Sequence, residues 1–136
     1  SAGAITVLQA ENAICNRTPS AAVLPQGFNY AGVISYAGAI FSVNSKPAWK
    51  SKPAPIMVFH GSSDKQVPYD KATMLGVGFF GSKFISKQLA KMGVPHWFYS
   101  AQYRDHDMAG DPMYDNIEEI TAFINRVVVK GQPLTV

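Results

Sequence analysis

Cysteine is nearly absent: Cys15 stands alone among 136 residues. A single cysteine excludes an internal disulfide and any Cys-rich zinc cluster, and says little about compartment. Charge is also sparse, at 15% of residues against 47% apolar, a balance that excludes disorder. No run reaches the ~18 apolar residues of a membrane span. No basic segment precedes an apolar stretch, so no secretory leader is read here, although a mature protein can have lost one. No Gly-rich phosphate loop follows an apolar run, which argues against a nucleotide-binding or flavodoxin-like receiver domain. No internal repeat is visible, and the length suits one domain.

The net charge is +3, with a sequence pI near 9.0. Its distribution argues against nucleic acid. Lys83, Lys87 and Lys91 recur every four residues, as on the solvated face of one helix. Lys46, Lys50 and Lys52 fall in a Pro- and Ser-rich stretch, and acidic residues crowd Asp105–Glu119. No basic stripe is interleaved with aromatics.

Hydrophobic spacing predicts a largely buried helix over Ser1–Ala13, a loop over Arg17–Gly27 and a buried strand over Gly32–Ala37. Phe41–Pro55, with three prolines and three lysines, is expected to be a surface connection. Ile56–Phe59 reads as a second strand, ending in the polar turn His60–Asp64. A short helical turn is expected over Tyr69–Leu75, and a helix over Phe80–Met92 with Gly93 as its C-cap. His96–Tyr99 reads as a third strand and Tyr103–Pro112 as a polar loop. The last helix, Tyr114–Val129, should turn Ile117, Ile120, Phe123, Ile124 and Val127 inward. Buried strands alternating with amphipathic helices predict an α/β fold with parallel strands flanked by helices. Three such strands make a poor sheet alone, so further strands are expected from elsewhere.

In open α/β sheets, functional groups gather beyond the strand C-termini. The turn after IMVF carries His60, Ser62, Ser63 and Asp64. The loop after HWFY carries Arg104, Asp105, His106 and Asp107. Ser1-Ala2-Gly3 runs straight into a helix, whose first N–H groups can receive an anion. A Ser, an Asp and a His therefore occur in that order, the first before a helix and the others after strands.

This order, with the motifs around it, resembles the α/β-hydrolases. Ser1-Ala2-Gly3 looks like the back half of a G-x-S-x-G nucleophile elbow. HGSSDKQVPY resembles the family's acid loop, and RDHDM before an amphipathic helix resembles its histidine loop. The likeness spans nearly the whole chain, but only the C-terminal half of that fold: residues 1–136 would be the C-terminal part of a single hydrolase domain. It implies a serine esterase with Ser1 as nucleophile, His106 as general base and acid, Asp64 as the residue that orients the imidazole, and the Ala2 N–H as one oxyanion donor. The short Ala39–Pro55 connection leaves little room for a helical lid, which favours small-acyl, aromatic or carbohydrate esters. No cofactor or metal is implied.

Each assignment has a competitor. Ser1 could be a terminal N-cap only. Asp64 could merely cap its turn, with Asp70 as the rival acid. His96 reads as structural, and His60 as a brace of the acid loop. Asp105 and Asp107 read as solvated. Metal ligation by His106, Asp107 and Asp111 matches no known spacing. The elbow's strand, the second oxyanion donor and the early sheet strands are missing. A companion polypeptide supplying the N-terminal half of the sheet is therefore expected, through cleavage, nicking or truncation. Two other readings stay open: a non-catalytic hydrolase-like half, and an N-terminal-nucleophile hydrolase using the Ser1 amine. Homo-oligomers remain open as well. Compartment is undecided, with a lean towards the cell exterior.

Overall fold

The computed structural model describes residues 1–43 and 45–132. Its centre is a parallel sheet of three strands, β1 (Val33–Tyr36), β3 (Ile56–Gly61) and β6 (His96–Ala101), in the order β1-β3-β6. The central strand β3 is buried along its whole length. A parallel strand covered on both faces needs a continuous apolar run, and IMVF supplies it. Alternation then sorts the side chains. Ile56 and Val58 join one core cluster with Val33, Leu8, Ile85 and Leu89. Met57 and Phe59 join a second with Met108, Phe123 and Val127. Fully burying an aliphatic or aromatic side chain of this size is worth ~1.5–3 kcal/mol.

The first cluster lies under helices α1 (Ala2–Asn16) and α2 (Ser82–Met92). The second lies under the C-terminal segment, made of α3 (Pro112–Asp115), α4 (Ile117–Ala122) and a π-helical turn over Phe123–Val129. The result is three layers, helix on sheet on helix. The α2 lysines lie opposite its buried Ile85 and Leu89, and Gly93 closes the helix in the left-handed conformation, as expected from the sequence.

α1 runs antiparallel to the strands. Its first turn meets the chain just past β1, where a Cβ on Gly38 would lie 2.9 Å from that of Ala4. Near its other end Glu11 accepts from the Ala54 N–H, just ahead of β3. The α1 N-terminus therefore sits at the rim where the three strands end.

A second, antiparallel sheet joins β2 (Ala39–Val43), β4 (Lys71–Met74) and β5 (Val77–Gly81) in the order β2-β5-β4. It corrects two expectations. Phe41–Val43 is strand rather than surface connection, and residues 71–74 are strand rather than helical turn. The hairpin turn is Leu75-Gly76, with φ of 51° and 80°. Two positive φ values mark the primed turn that matches strand twist, and Leu is an unusual occupant of its first position. Phe80 belongs to β5, so α2 starts two residues later than its spacing suggested. The outer edge of β2 is covered by Gln9 of α1. Its side-chain amide donates to the Phe41 carbonyl and accepts the Phe41 N–H, at 3.1 and 2.9 Å.

The last helix is also corrected. Asn116 interrupts it, and the π turn shifts the register, so Phe123 and Val127 are buried while Ile117 and Ile124 are exposed. Among the described residues no helix is long and apolar enough to cross a membrane.

Candidate active site

Period-two alternation along β3 sets the site's geometry. Phe59 points to the C-terminal helices, so His60 points to α2 and meets Ser82 at its start. The chain then turns through Ser62, Ser63 and Asp64. Beside it, the loop after β6 carries His106.

Hydrogen bonds stitch these two loops together. The Ser62 N–H donates to the Ala101 carbonyl at 3.0 Å, and the Ser63 N–H to the Arg104 carbonyl at 2.9 Å. The Tyr103 N–H donates to Ser62 Oγ at 2.7 Å. Asp105 Oδ1 accepts from the Lys65 N–H at 2.8 Å and from the His106 N–H at 2.7 Å. Asp105 is therefore not simply solvated. It caps the 3-10 turn that begins at His106 and ties it to the acid loop. The Lys65 and His106 N–H groups hold its carboxyl below the usual carboxylate range, against a smaller opposing effect of burial.

Asp64 is fully buried at its side chain. Its Oδ1 accepts from the Gln66 and Val67 N–H groups at 2.9 and 2.8 Å. Its Oδ2 accepts from His106 Nδ1 at 2.8 Å. Burial pushes the Asp64 carboxyl up, but the Val67 N–H, His106 and the Gln66 N–H together outweigh it, and the net direction is down. Asp64 therefore remains ionised and acts as acceptor. With the His106 proton drawn to Nδ1, the neutral ring keeps its lone pair on Nε2. Among the described residues Nε2 has no hydrogen-bond partner, and the side chain is 14% exposed. A partly exposed imidazole with a free lone pair and a buried carboxylate behind it has the arrangement that general-base chemistry requires.

Ser1 lies at the same rim, as the N-cap of α1, and is exposed. Its side chain makes no hydrogen bond among the described residues, so Asp64 and His106 are brought together and Ser1 is not joined to them. The N–H groups of Ala2, Gly3 and Ala4 are unbonded within the helix, whose first bond runs from the Ile5 N–H to the Ser1 carbonyl. Asp70 contributes its carbonyl to the Gly81 N–H, in the hairpin stem. His96 donates from Nδ1 to the Val94 carbonyl at 2.8 Å, a structural bond at the start of β6. Asp111 pairs with Arg104 at 2.9 Å, and Asp107 lies 3.7 Å from the same guanidinium. Among the described residues no group of three or more His, Cys, Asp or Glu is placed to hold a metal ion. Burial, then Glu11, pushes the Cys15 thiol up to about 12, so it stays protonated and inert.

Two open grooves lie away from the dyad. One of about 860 Å³ runs along residues 14–29 past the end of α1. The other, about 360 Å³, lies between the small sheet and Phe84 of α2. Neither includes Ser1, Asp64 or His106.

The buried acid and its neighbour His60 predict acid sensitivity in two steps. Burial drives the His60 pKa down, against the opposing pull of the Val67 carbonyl and Asp64, so the folded protein keeps this ring neutral. Below the unfolded value of ~6.5 the unfolded chain gains a proton that the native state refuses, and stability falls. Asp64 adds a second loss. Its stabilising contribution is complete above the unfolded value of ~3.9 and disappears as pH falls through its lower folded value. Urea midpoints measured from pH 8 to pH 3 should be flat down to about pH 7 and then decline in two stages. Midpoints that rise on acidification would contradict this.

In comparisons with known proteins, no family model, no curated protein and no solved structure matches this chain.

Proposed function

We propose that this chain is the catalytic C-terminal half of a serine esterase, with Ser1 as nucleophile. The observation that carries the reading is the 2.8 Å bond between His106 Nδ1 and a buried, ionised Asp64 at the rim where α1 begins. In the reaction, His106 Nε2 takes the Ser1 Oγ proton as Oγ attacks the ester carbonyl. The resulting oxyanion is received by the Ala2 N–H at the positive end of α1. The imidazolium then gives its proton to the departing alkoxide, leaving an acyl-serine. Water, deprotonated by the same nitrogen, releases the acid.

Residues 39–43 are taken up by β2, and Ala48, Lys50 and Ser51 are hydrogen-bonded to α1. The connection is thus committed to the scaffold, which supports small-acyl, aromatic or carbohydrate esters over long lipids. The reading includes a companion polypeptide whose strands extend the sheet at β1. Among the described residues β1 pairs only with β3, on one side. Comparing native with denatured mass tests for such a companion.

A non-catalytic hydrolase-like half is the second reading, favoured by the lack of a bond between Ser1 and His106. The N-terminal-nucleophile reading is disfavoured, because Ser1 leads into a helix and not a strand. Hydrolysis of a short aryl ester, assayed on the protein with any copurifying polypeptide, separates them. Ser1→Ala and His106→Ala should each remove nearly all turnover while the protein stays folded. Turnover unchanged in both variants would refute the esterase.

A further inference from the structure

His60 is wholly buried, titratable and unused in the reaction above. Its partners fix its tautomer. The Val67 carbonyl, 3.0 Å from Nε2, can only accept, so Nε2 carries the proton. Nδ1 then accepts from the Ser82 hydroxyl at 2.7 Å. The same Nε2–H lies 3.3 Å from Asp64 Oδ2, the oxygen that also receives His106. One carboxylate oxygen thus accepts the His106 N–H and lies 3.3 Å from a second imidazole nitrogen, whose own hydrogen bond goes to the Val67 carbonyl.

We propose that His60 is a positioning residue for the Asp64–His106 pair, holding Asp64 Oδ2 from behind and sharing its negative charge with the base. The proposal deepens the esterase reading and rests on it for its consequence in catalysis. The geometry makes a directional claim. A carboxylate oxygen with a second N–H dipole 3.3 Å away offers less net negative potential to the N–H it accepts. His60 therefore moderates the hold of Asp64 on His106 and keeps the imidazole from becoming too basic to return its proton to the leaving group. A purely structural brace would do the reverse on removal: the acid loop would loosen, Asp64 would drift from His106, and the imidazole would lose its anionic partner.

The other groups facing this cluster are few. The Tyr69 ring meets His60 edge-on at 5.7 Å, and its hydroxyl is hydrogen-bonded to Ser100. Lys83 Nζ lies 5.8 Å from the centre of that ring. Asp105 faces His106 through the backbone N–H, and Lys65 acts on that carboxylate through its backbone N–H and, more weakly, its charge. None of them donates to Asp64 Oδ2.

The test is an NMR titration of the His106 ring in the complete protein, beside the pH profile of kcat/KM. His60→Leu removes the second N–H dipole near Oδ2 and should move the His106 pKa upward by about half a unit to one unit. His60→Gln, which can present an N–H near the old Nε2 position, should return it most of the way. Ser82→Ala leaves His60 in place but weakens its polarisation, so a smaller upward shift is expected. It keeps the proposal testable if His60→Leu fails to fold. An unchanged or lowered His106 pKa in the folded variants would overturn the proposal. The titration is independent of turnover. An upward shift without esterase activity would sink the esterase reading and leave the positioning role of His60 standing, whereas activity without the shift would do the opposite.

Discussion

Replacing Asp64 by Asn should lower kcat/KM for an ester substrate by ~10⁴-fold, the scale of the acid-to-amide change in other triads. The reason lies in which atoms face which donors. The new side-chain amide would keep its carbonyl oxygen towards the Gln66 and Val67 N–H groups, which both donate to Asp64 Oδ1. Its NH₂ would then occupy the Oδ2 position, 2.8 Å from His106 Nδ1. An NH₂ cannot accept, so His106 would turn its lone pair to Nδ1 and its proton to Nε2, where the serine proton must go. The same change sets an NH₂ against the His60 Nε2–H, 3.3 Å away, so a stability loss should accompany it. Steady-state kinetics with a denaturation curve would read both. A loss of less than tenfold would mean that Asp64 is not the acid, and Asp70 would be tested next.

Gly61→Ala should damage the site without touching a reacting group. Gly61 follows His60 and so faces the opposite side of the sheet. There a Cβ would lie 2.4 Å from the Arg104 carbonyl oxygen and 2.8 Å from that of Asp105. Both neighbours are backbone, so relief requires the histidine loop to move as a body. That motion would stretch the bonds from Ser63 to Arg104 and from Lys65 to Asp105, and carry His106 off Asp64. Displacing a catalytic group by about 1 Å can cost on the order of 10²-fold. A loss in kcat of that size, with overpacking destabilisation of ~1–3 kcal/mol, is expected. Unchanged kinetics would mean that the loop pairing does not position the base.

The parallel sheet was legible because each of its strands holds a short apolar run closed by polar or turn residues, a pattern that burial on both faces demands most fully of the central strand β3. The small sheet was not. Val43 and Phe41 of β2 are exposed, so its sequence offers no inward stripe, and the prolines of residues 47–55 dominate the composition around it. The hairpin carries Leu-Gly in place of Asn-Gly or Asp-Gly, so its turn gave no signal. The split of the last helix at Asn116 and its π register depend on tertiary packing that spacing does not encode. At the site, the pairing of Asp64 with His106 was readable from residue type and position after strands, whereas the expected link from His106 to Ser1 is not made. The grip of Asp105 on two N–H groups was not, since it pairs residues from separate loops. His60 could be read as a brace, but its second contact with Asp64 Oδ2 could not.

Esterase chemistry in this chain turns on whether the imidazole held by Asp64 delivers a reactive serine. Treating the protein, with any companion polypeptide, with a fluorophosphonate and mapping the adduct by peptide mass tests this directly. A single phosphonyl group is expected on Ser1, and it should disappear in His106→Ala while the fold is retained. Failure of Ser1 to react in the intact protein, or an adduct on another residue with Ser1 untouched, would contradict the esterase reading.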